Sequence, residues 1–533
     1  MKIEKINPDR FIGYLTNLAA CSMEMILKKN TLLSVVSVIL SVLQLNSALA
    51  VEVFQTKTEL RQYNPEKAYN GYTLFTHVTP RKSDVTKVFL IDMEGNVVHT
   101  WPHITNPKLY ENGNLIGGFN EMDWNGNVVW EWEVPKDRYD LTVHHDTCKI
   151  YNKKLNTYTY IGLTKYYPTQ EEAVAAGCDP DNDYSNATPD GIIEVDLKGN
   201  IIWEWNFLDH TIQDINRKWP NYVGKRKTIA DYPGKADLNW LTDQQRMRGA
   251  DTRGYSSDWQ HTNALDYNEK LDHIAINAKH WSEFYVIDHG ATFIPNDPEG
   301  SRILAASDKG DFIYRFGNPS AYQQGDSPAY LDEGNQQIYG AHDIQWIKKG
   351  LPGARNFLIF NNGCYNPMGH YSEVLEINPF LDKNGKNTGN YVNPPDAGYF
   401  QRKNQSKQVV WTYKSVKQSS FYSSFISSCQ RLPNGNTLID SGASGHFFEV
   451  TTNGDVVWEY INPVDGKYGT VSTVRKDSDK GSFSVFRCYR YGPDYPGLIG
   501  RDLTPKGQIT RIYANSRTNS VSDSTGNTAN GDK

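Results

Sequence analysis

Three histidines fall at one position of a repeated segment. In HHDTCKIYN, QHTNALDYN and AHDIQWIKK, His145, His261 and His342 each stand five residues before an aligned position, held by Ile150, Asp266 and Ile347. A lone histidine in a strand is most often a satisfied, half-buried side chain. Three in one register point instead to convergence on a shared surface, where imidazoles act as nucleophiles, proton carriers or metal ligands. Asp146 and Asp343 directly follow two of them. Adjacent strand residues point to opposite faces, so these pairs imply no side-by-side metal site. A three-histidine metal site stays geometrically open.

A fifth copy of the segment breaks the register. It carries Ser427 at the aligned position, and the histidine comes one hairpin arm later, as His446 in SGASGHFFEV. Its small neighbours Gly442, Ser444 and Gly445 would leave room for a bulky group to reach the ring. Near the end, SVFRCYRYGPDYPGL supplies Arg487 and Arg490 as candidates to hold an anion, because a guanidinium matches a group with three oxygens. Arg487 is preferred, since it occupies the part of its segment equivalent to the histidine strands.

The elements that must position these residues are short strands. VFLIDMEGNVVHTW, NEMDWNGNVVWEW, GIIEVDLKGNIIWEW and FFEVTTNGDVVWEY each read as a strand, a Gly-centred two-residue turn and a Trp-rich strand. Looser copies lie at 284–319 and 373–413, with the turn expanded. Gly-Asn or Gly-Asp between alternating apolar residues is a strong hairpin signal. Pairing each hairpin with a strand pair such as IYNKKLNTYTYIGLT or RLPNGNTLIDSG gives about four strands per unit, the make-up of a propeller blade. The pattern therefore predicts an all-β fold, a six-bladed β-propeller over residues 75–515, with the histidine segments as innermost strands facing a central channel. Helix signals are few, the clearest at 170–176. Residues 51–74 are too few for a separate domain and are expected to add a strand to a blade or cover the first one. The polar, Lys/Arg-rich stretch 208–258 lacks the blade pattern and reads as an inserted loop that could serve as a lid. Residues 516–533 read as a disordered tail.

Composition excludes some function classes. The formal net charge of −6 leaves no basic nucleic-acid footprint. The 33 Tyr and 13 Trp suit many short strands and aromatic clefts. Residues 1–50 read as a cleaved signal peptide: Lys28-Lys29, the apolar run at 31–45 and the small-x-small end Ala48-Leu49-Ala50. Residues 1–22 are then an over-extended start. Cleavage predicts a periplasmic or secreted protein with no stable membrane association. Five cysteines remain after Cys21, at Cys148, Cys178, Cys364, Cys429 and Cys488. Their wide spacings fit no zinc knuckle, and no disulfide is assigned.

Taken together, the Gly-Asn-x-x-Trp-Glu-Trp repeat ends, HHD, DWQHTNALDYN, FNNG, QRLPNGNTLI and FFEVTTNGDVVWEY resemble the bacterial arylsulfotransferases that work without PAPS, over nearly the whole mature chain. The resemblance implies a six-bladed propeller and a ping-pong transfer of a sulfuryl group from a phenolic sulfate ester to another phenol through a sulfohistidine, with no metal or nucleotide cofactor. By motif His446 looks like the nucleophile, with His261 and His342 flanking the sulfuryl group. His145, Asn362, Arg431 and Arg487 are the expected substrate-binding residues. The family's well-studied branch has an arginine shortly after an Asp-Asn-Gly turn. Here the run is Asn361-Asn362-Gly363-Cys364-Tyr365-Asn366, and Arg487 or Arg431 is expected to substitute. That branch also carries a β-rich domain before its propeller, for which 51–74 leaves no space. Two other readings stay open: a carbohydrate- or sulfated-ligand-binding propeller without catalysis, and a quinoprotein dehydrogenase.

Overall fold

The computed structural model describes residues 55–78, 83–184, 187–240, 258–393, 405–476 and 481–514. The expected signal segment and the 516–533 tail lie outside them. The chain is mostly β and forms a six-bladed propeller, each blade a four-stranded antiparallel sheet. From the axis outward, blade 1 runs Val485–Tyr491, Tyr72–His77, Lys87–Ile91 and Val97–Pro102. The inner strands of blades 2 to 6 are Lys108–Leu109, Leu141–Asn152, Thr262–Asn268, His342–Trp346 and Ser428–Arg431. The ring is closed twice. The last strand of the chain becomes the first of blade 1, and Glu59–Tyr63 adds a fifth strand to the outer edge of blade 6, against Val456–Ile461.

The repeated turns are longer than two residues. Asp92 and Asn96 pair through Asp92 N–H to the Asn96 carbonyl, Gly95 N–H returns to the Asp92 carbonyl, and Gly95 has φ +81°. The same arrangement closes at Gly126, Gly199 and Gly454, with φ +87°, +89° and +89°. This is a three-residue loop with a left-handed glycine, and it puts a bulge beside each turn. The aspartate at the start decides the longer form. Asp92, Asp123 and Asp196 each accept the backbone N–H four residues on at 2.8 Å, so the side chain, not the Gly-Asn pair alone, sets the loop.

The Trp-rich outer strands join blade to blade. Trp132 Nε1 donates to the Gly199 carbonyl, Trp203 to Thr292, Trp411 to the Thr452 carbonyl and Trp458 to the Met93 carbonyl, at 2.9 to 3.1 Å. In each case an outer strand reaches the outer-turn region of the next blade. The other two junctions are bridged by different groups, His99 Nε2 with the Trp124 carbonyl and Tyr314 Oη donating to Gln408. Apolar clusters fill the spaces between blades, one of them packing Phe75, Phe89 and Ile91 of blade 1 against Phe447, Trp458 and Tyr460 of blade 6.

The stretch 208–240 holds a small parallel pairing of Thr211–Ile212 with Ala236–Asp237. The rest of the expected lid, 241–257, lies outside the described residues. The helix expected at 170–176 occupies Gln170–Ala175, with a Thr169–Glu172 capping box. A second helix, Pro298–Ala305, sits in the expanded outer turn of blade 4.

Trp458 tests the junction role. Its indole is fully buried, bonds Met93 and lies 4.4 Å from the Arg490 guanidinium. Trp458→Phe leaves the Met93 carbonyl unpaired, and a loss of about 1–3 kcal/mol is expected, read as a lowered chemical-denaturation midpoint with an unchanged slope.

Candidate functional site

Three of the inner strands carry a bulge near their start; His145 lies within its bulge, and His261 and His342 stand immediately before theirs. The register shifts lie between Val143 and Thr147, between Thr262 and Ala264, and between His342 and Gln345. His145 and His261 both have φ +51°, a left-handed conformation that a side chain adopts only at a cost of about 1 kcal/mol or more. A bulge re-aims the residue it contains, and here the rings meet. His145 and His261 have ring centroids 4.9 Å apart, and Phe486 of blade 1 lies 5.9 Å from His145 and 6.4 Å from His342. The structure thus brings His145 and His342 to one aromatic side chain and His261 against His145.

Hydrogen bonds fix the tautomers. Asp258 Oδ2 lies 2.7 Å from His261 Nδ1, so Nδ1–H donates to the carboxylate and Nε2 is the nitrogen left without a hydrogen bond among the described residues. The other Asp258 oxygen takes Lys165 Nζ at 2.5 Å. Burial opposes charge on Asp258, but the His261 hydrogen bond and then Lys165 hold it well below the usual carboxylate range. His342 is fully committed: Nδ1 donates to Asn362 Oδ1 at 2.7 Å, and Nε2 accepts the Ile426 N–H at 3.1 Å. Asn362 therefore holds His342, its own amide donating to the Ser423 and Ile426 carbonyls. His145 Nδ1 lies 2.7 Å from His144 Nδ1, and His144 Nε2 lies 3.4 Å from Asp190.

The sequence missed four members. His280 has its ring 4.8 Å from His261 and its Nδ1 donating to the Asp258 carbonyl. Lys279 precedes it, with its backbone N–H on the His261 carbonyl at 3.3 Å. Both end the repeated segment DYNEKLDHIAINAKH, where the second strand of blade 4 gives way to a short turn, Lys279–Trp281, whose counterpart in blade 6 is Gly442–Ser444. Asp258 and Lys165 complete the set, and the carboxylate three residues before His261 in DWQH was the one readable signal. Donor atoms of Asp258, His261 and His280 all lie within 4.8 Å of one another, close enough to gather around a cation. The carboxylate is already taken by Lys165 and His261, so we assign no metal there.

Three of the imidazoles are held neutral. Burial, then His144 and His261, push His145 down to about 3, and burial, then His261 and Lys279, push His280 down to about 4. Burial, then Lys279, drive His342 well below its ordinary value.

Arg487 is placed differently from the expectation. Its guanidinium crosses the axis from blade 1, with Nη1 on Asp146 Oδ2 at 2.6 Å, Nε 3.0 Å from Asp343 Oδ1, and Nη2 donating to the Asn263 carbonyl. Lys108 of blade 2 joins at Asp146, 3.1 Å away. Burial alone would raise the Asp146 carboxyl, but Arg487 and then Lys108 hold it at about 2. The guanidinium is spent on carboxylates and is not offered to an anion. Arg431 likewise pairs with Glu376 at 2.6 Å, at the far end of its inner strand. Together with Asp343, Lys108, Trp346 and Tyr489, these arginines line a cavity of about 520 Å³ on the other side of the axis.

His446 stands apart from the others. It begins the third strand of blade 6, His446–Val450, two strands out from the channel wall, or about 10 Å at the usual strand spacing. Its Nε2 lies 2.8 Å from Glu459 on the neighbouring strand, and its ring packs 5.0 Å from Phe448. Among the described residues no hydrogen bond or ring contact joins it to the channel histidines, so the expected grouping of His446 with His261 and His342 is not formed.

A sequence model of the family described as Arylsulfotransferase (ASST) matches residues 57–485. A search of curated proteins returns no match. Among solved structures, a Bacteroides caccae protein of unknown function is 9% identical, over 79% of this chain and 98% of its own, with TM-score 0.36. A Lactobacillus plantarum protein is 8% identical, over 79% and 99%, with TM-score 0.32. Virginiamycin B lyase from Staphylococcus aureus is 9% identical, over 78% and 76%, with TM-score 0.25. Likenesses at this level transfer no activity.

Two outcomes follow from the site's electrostatics. Arg487→Met leaves two buried carboxylates without their cation and is expected to cost about 3–5 kcal/mol, measured as a fall in Tm. Acid acts through the histidines first. Their folded pKa values lie below the unfolded value of about 6.5, so the unfolded chain binds more protons as pH falls below that point. Stability is expected to drop between about pH 6.5 and 4.5, before most of the carboxylates respond, in denaturation midpoints compared at pH 7 and 5.

Proposed function

The chain belongs to the arylsulfotransferase family, and from that membership we propose that it moves a sulfuryl group from a phenolic sulfate ester to a phenolic acceptor by a ping-pong route through a sulfohistidine, independently of PAPS. The observation that carries the site assignment is His261, whose Nδ1–H is anchored on Asp258 while Nε2 has no partner among the described residues. That is the state a nucleophilic imidazole needs. His342 has both nitrogens in use, and His446 lies on the outer part of blade 6.

In the first half, the Nε2 lone pair forms a bond to sulfur as the bond from sulfur to the phenolic oxygen breaks. The electron pair leaves on the phenolate, which takes a proton from water. In the second half the acceptor oxygen forms its bond to sulfur, releases its proton to water, and the sulfur–nitrogen pair returns to Nε2. Throughout, Asp258 accepts the Nδ1–H and stabilises the positive charge that sulfuration places on the ring. Phe486, between His145 and His342, offers an apolar face to the phenol ring. The signal-like N-terminus supports a periplasmic or secreted location for this chemistry.

The test is direct. With 4-nitrophenyl sulfate and phenol, the mature protein is expected to release nitrophenolate with parallel-line initial-rate plots, and radiolabelled sulfate should appear on a peptide containing His261. His261→Asn is expected to lose on the order of 10³-fold or more in kcat, whereas His446→Asn keeps most of it. No release by the wild type refutes the activity. Equal loss in His446→Asn, with the label on His446, returns the nucleophile to that residue.

A further inference from the structure

The site contains an unspent cation. Most of the buried or half-buried cations near the axis and the blade junctions have a carboxylate partner: Lys108 with Asp146, Lys149 with Glu121, Lys165 with Asp258, Arg315 with Glu283, Arg431 with Glu376, Arg487 with Asp146 and Asp343, and Arg490 with Glu449. Lys279 is different. It is half-buried, and among the described residues its Nζ has neither a hydrogen bond nor an ion pair. Burying an ammonium without a partner is expensive, and such a group normally lowers its pKa or binds an anion.

Its position says where that anion would be. Lys279 directly follows the second strand of blade 4, His273–Ala278, and its N–H is bonded to the backbone carbonyl of His261. The next residue, His280, lies with its ring 4.8 Å from the His261 ring. Burial lowers the Lys279 ammonium from its ordinary range, with the Cys364 thiol and the Asp258 carboxylate opposing that, and the ammonium in turn acts on His280 and His342, disfavouring protons on both. Asp258 is already bonded to Lys165 and His261, and the Cys364 thiol is pushed up by burial and stays neutral. Neither cancels the charge.

We propose that Lys279 binds the sulfuryl oxygens of the donor and of the sulfated His261, and is thereby a catalytic residue of this site. The proposal rests on the sulfuryl-transfer reading above. A sulfate monoester carries one negative charge spread over three oxygens, and transfer requires fixed positive charge beside them as the bond to the leaving group stretches. Lys279 supplies that charge as a point source tied to the backbone of the nucleophile. It also helps to keep the adjacent imidazoles deprotonated, so one residue prepares the site and holds the anion.

The experiment separates this inference from the activity itself. Lys279→Met and Lys279→Arg are compared with wild type in 4-nitrophenyl sulfate turnover and in calorimetric titration with inorganic sulfate. Both substitutions fill a half-buried site without a hydrogen bond to lose, so melting at or above the wild-type temperature is expected. Lys279→Met is expected to lose at least about 100-fold in kcat/KM, in kcat as well as KM, and at least about 10-fold in sulfate affinity, with Lys279→Arg recovering most of both. Turnover and sulfate affinity in Lys279→Met within about threefold of wild type overturn the proposal, as does failure of wild type to bind sulfate. A wild type that binds sulfate through Lys279 but turns over no ester refutes the transfer reading and leaves the anion site standing.

Discussion

The propeller depends on one buried charge at its centre. Arg487 arrives on the last strand of the chain, which is also the innermost strand of blade 1, and reaches across to blades 3, 4 and 5 through Asp146, the Asn263 carbonyl and Asp343. Lys108 brings blade 2 to Asp146, and the Cys429 N–H brings blade 6 to Asp343 at 2.8 Å. Taking a guanidinium and two carboxylates out of water costs several kcal/mol per ion, and only good geometry on every partner offsets that. All six blades must therefore be in place before the network is favourable. Two cations and two anions balance in formal charge, which lets them be buried together at the centre of a large ring. Ring closure and charge burial are one event, because the strand that completes blade 1 also carries the arginine.

This network splits the channel by chemistry. The strand starts, on one side, gather neutral imidazoles at bulges. The strand ends, on the other, gather tyrosines and cations already paired with carboxylates, such as Lys149 with Glu121 and Arg431 with Glu376. Strand direction produces the division, since every inner strand runs outward from the histidine side through Arg487's level to the tyrosine side. An anion approaching the histidines cannot draw on Arg487, whose donors face the carboxylates. Only groups outside the inner strands remain to serve it, and the turn after the second strand of blade 4 is where the fold leaves one.

The architecture was legible because its cause is local and repeated. A turn with a left-handed glycine recurs in four of the six blades and most outer strands carry a tryptophan, and the tryptophans recur because each of several junctions needs a donor reaching the next turn. The shared register of His145, His261 and His342 was legible for the same reason, and the fold brings these three together. The side chain that lengthens each of these turns, an aspartate in three and Thr451 in the fourth, was visible as a residue type but not as a geometry. His446 misled because the sequence distance from the inner strand, one hairpin arm, becomes two strand widths of radial distance. Arg487 misled in the opposite sense: its place on an inner strand was right, but its partners lie in three other blades, a relation no linear pattern contains. His280 and Lys279 were passed over because they stand at the end of a repeated strand pair, in a turn, Lys279–Trp281, whose blade 6 counterpart Gly442–Ser444 carries only small residues.

The strain at the histidines has a holder, and its identity explains the site's chemistry. Asp190 of blade 3 accepts the Thr262 N–H at 2.5 Å with one oxygen, beside the left-handed His261, while its other oxygen faces His144. One carboxylate therefore grips both segments whose rings stand 4.9 Å apart. If His144 directs Nε2–H to Asp190, its Nδ1 accepts from His145 Nδ1–H, and His145, like His261, is left with a bare Nε2. Each ring is then anchored through Nδ1, one by Asp258 and the other through His144 by Asp190. Two rings anchored through Nδ1, beside an ammonium without a partner among the described residues, turn their second nitrogens toward a site next to fixed positive charge. An electron-poor centre bearing anionic oxygens satisfies both halves at once, and the strain stored at His145 and His261 is spent in holding that pairing open.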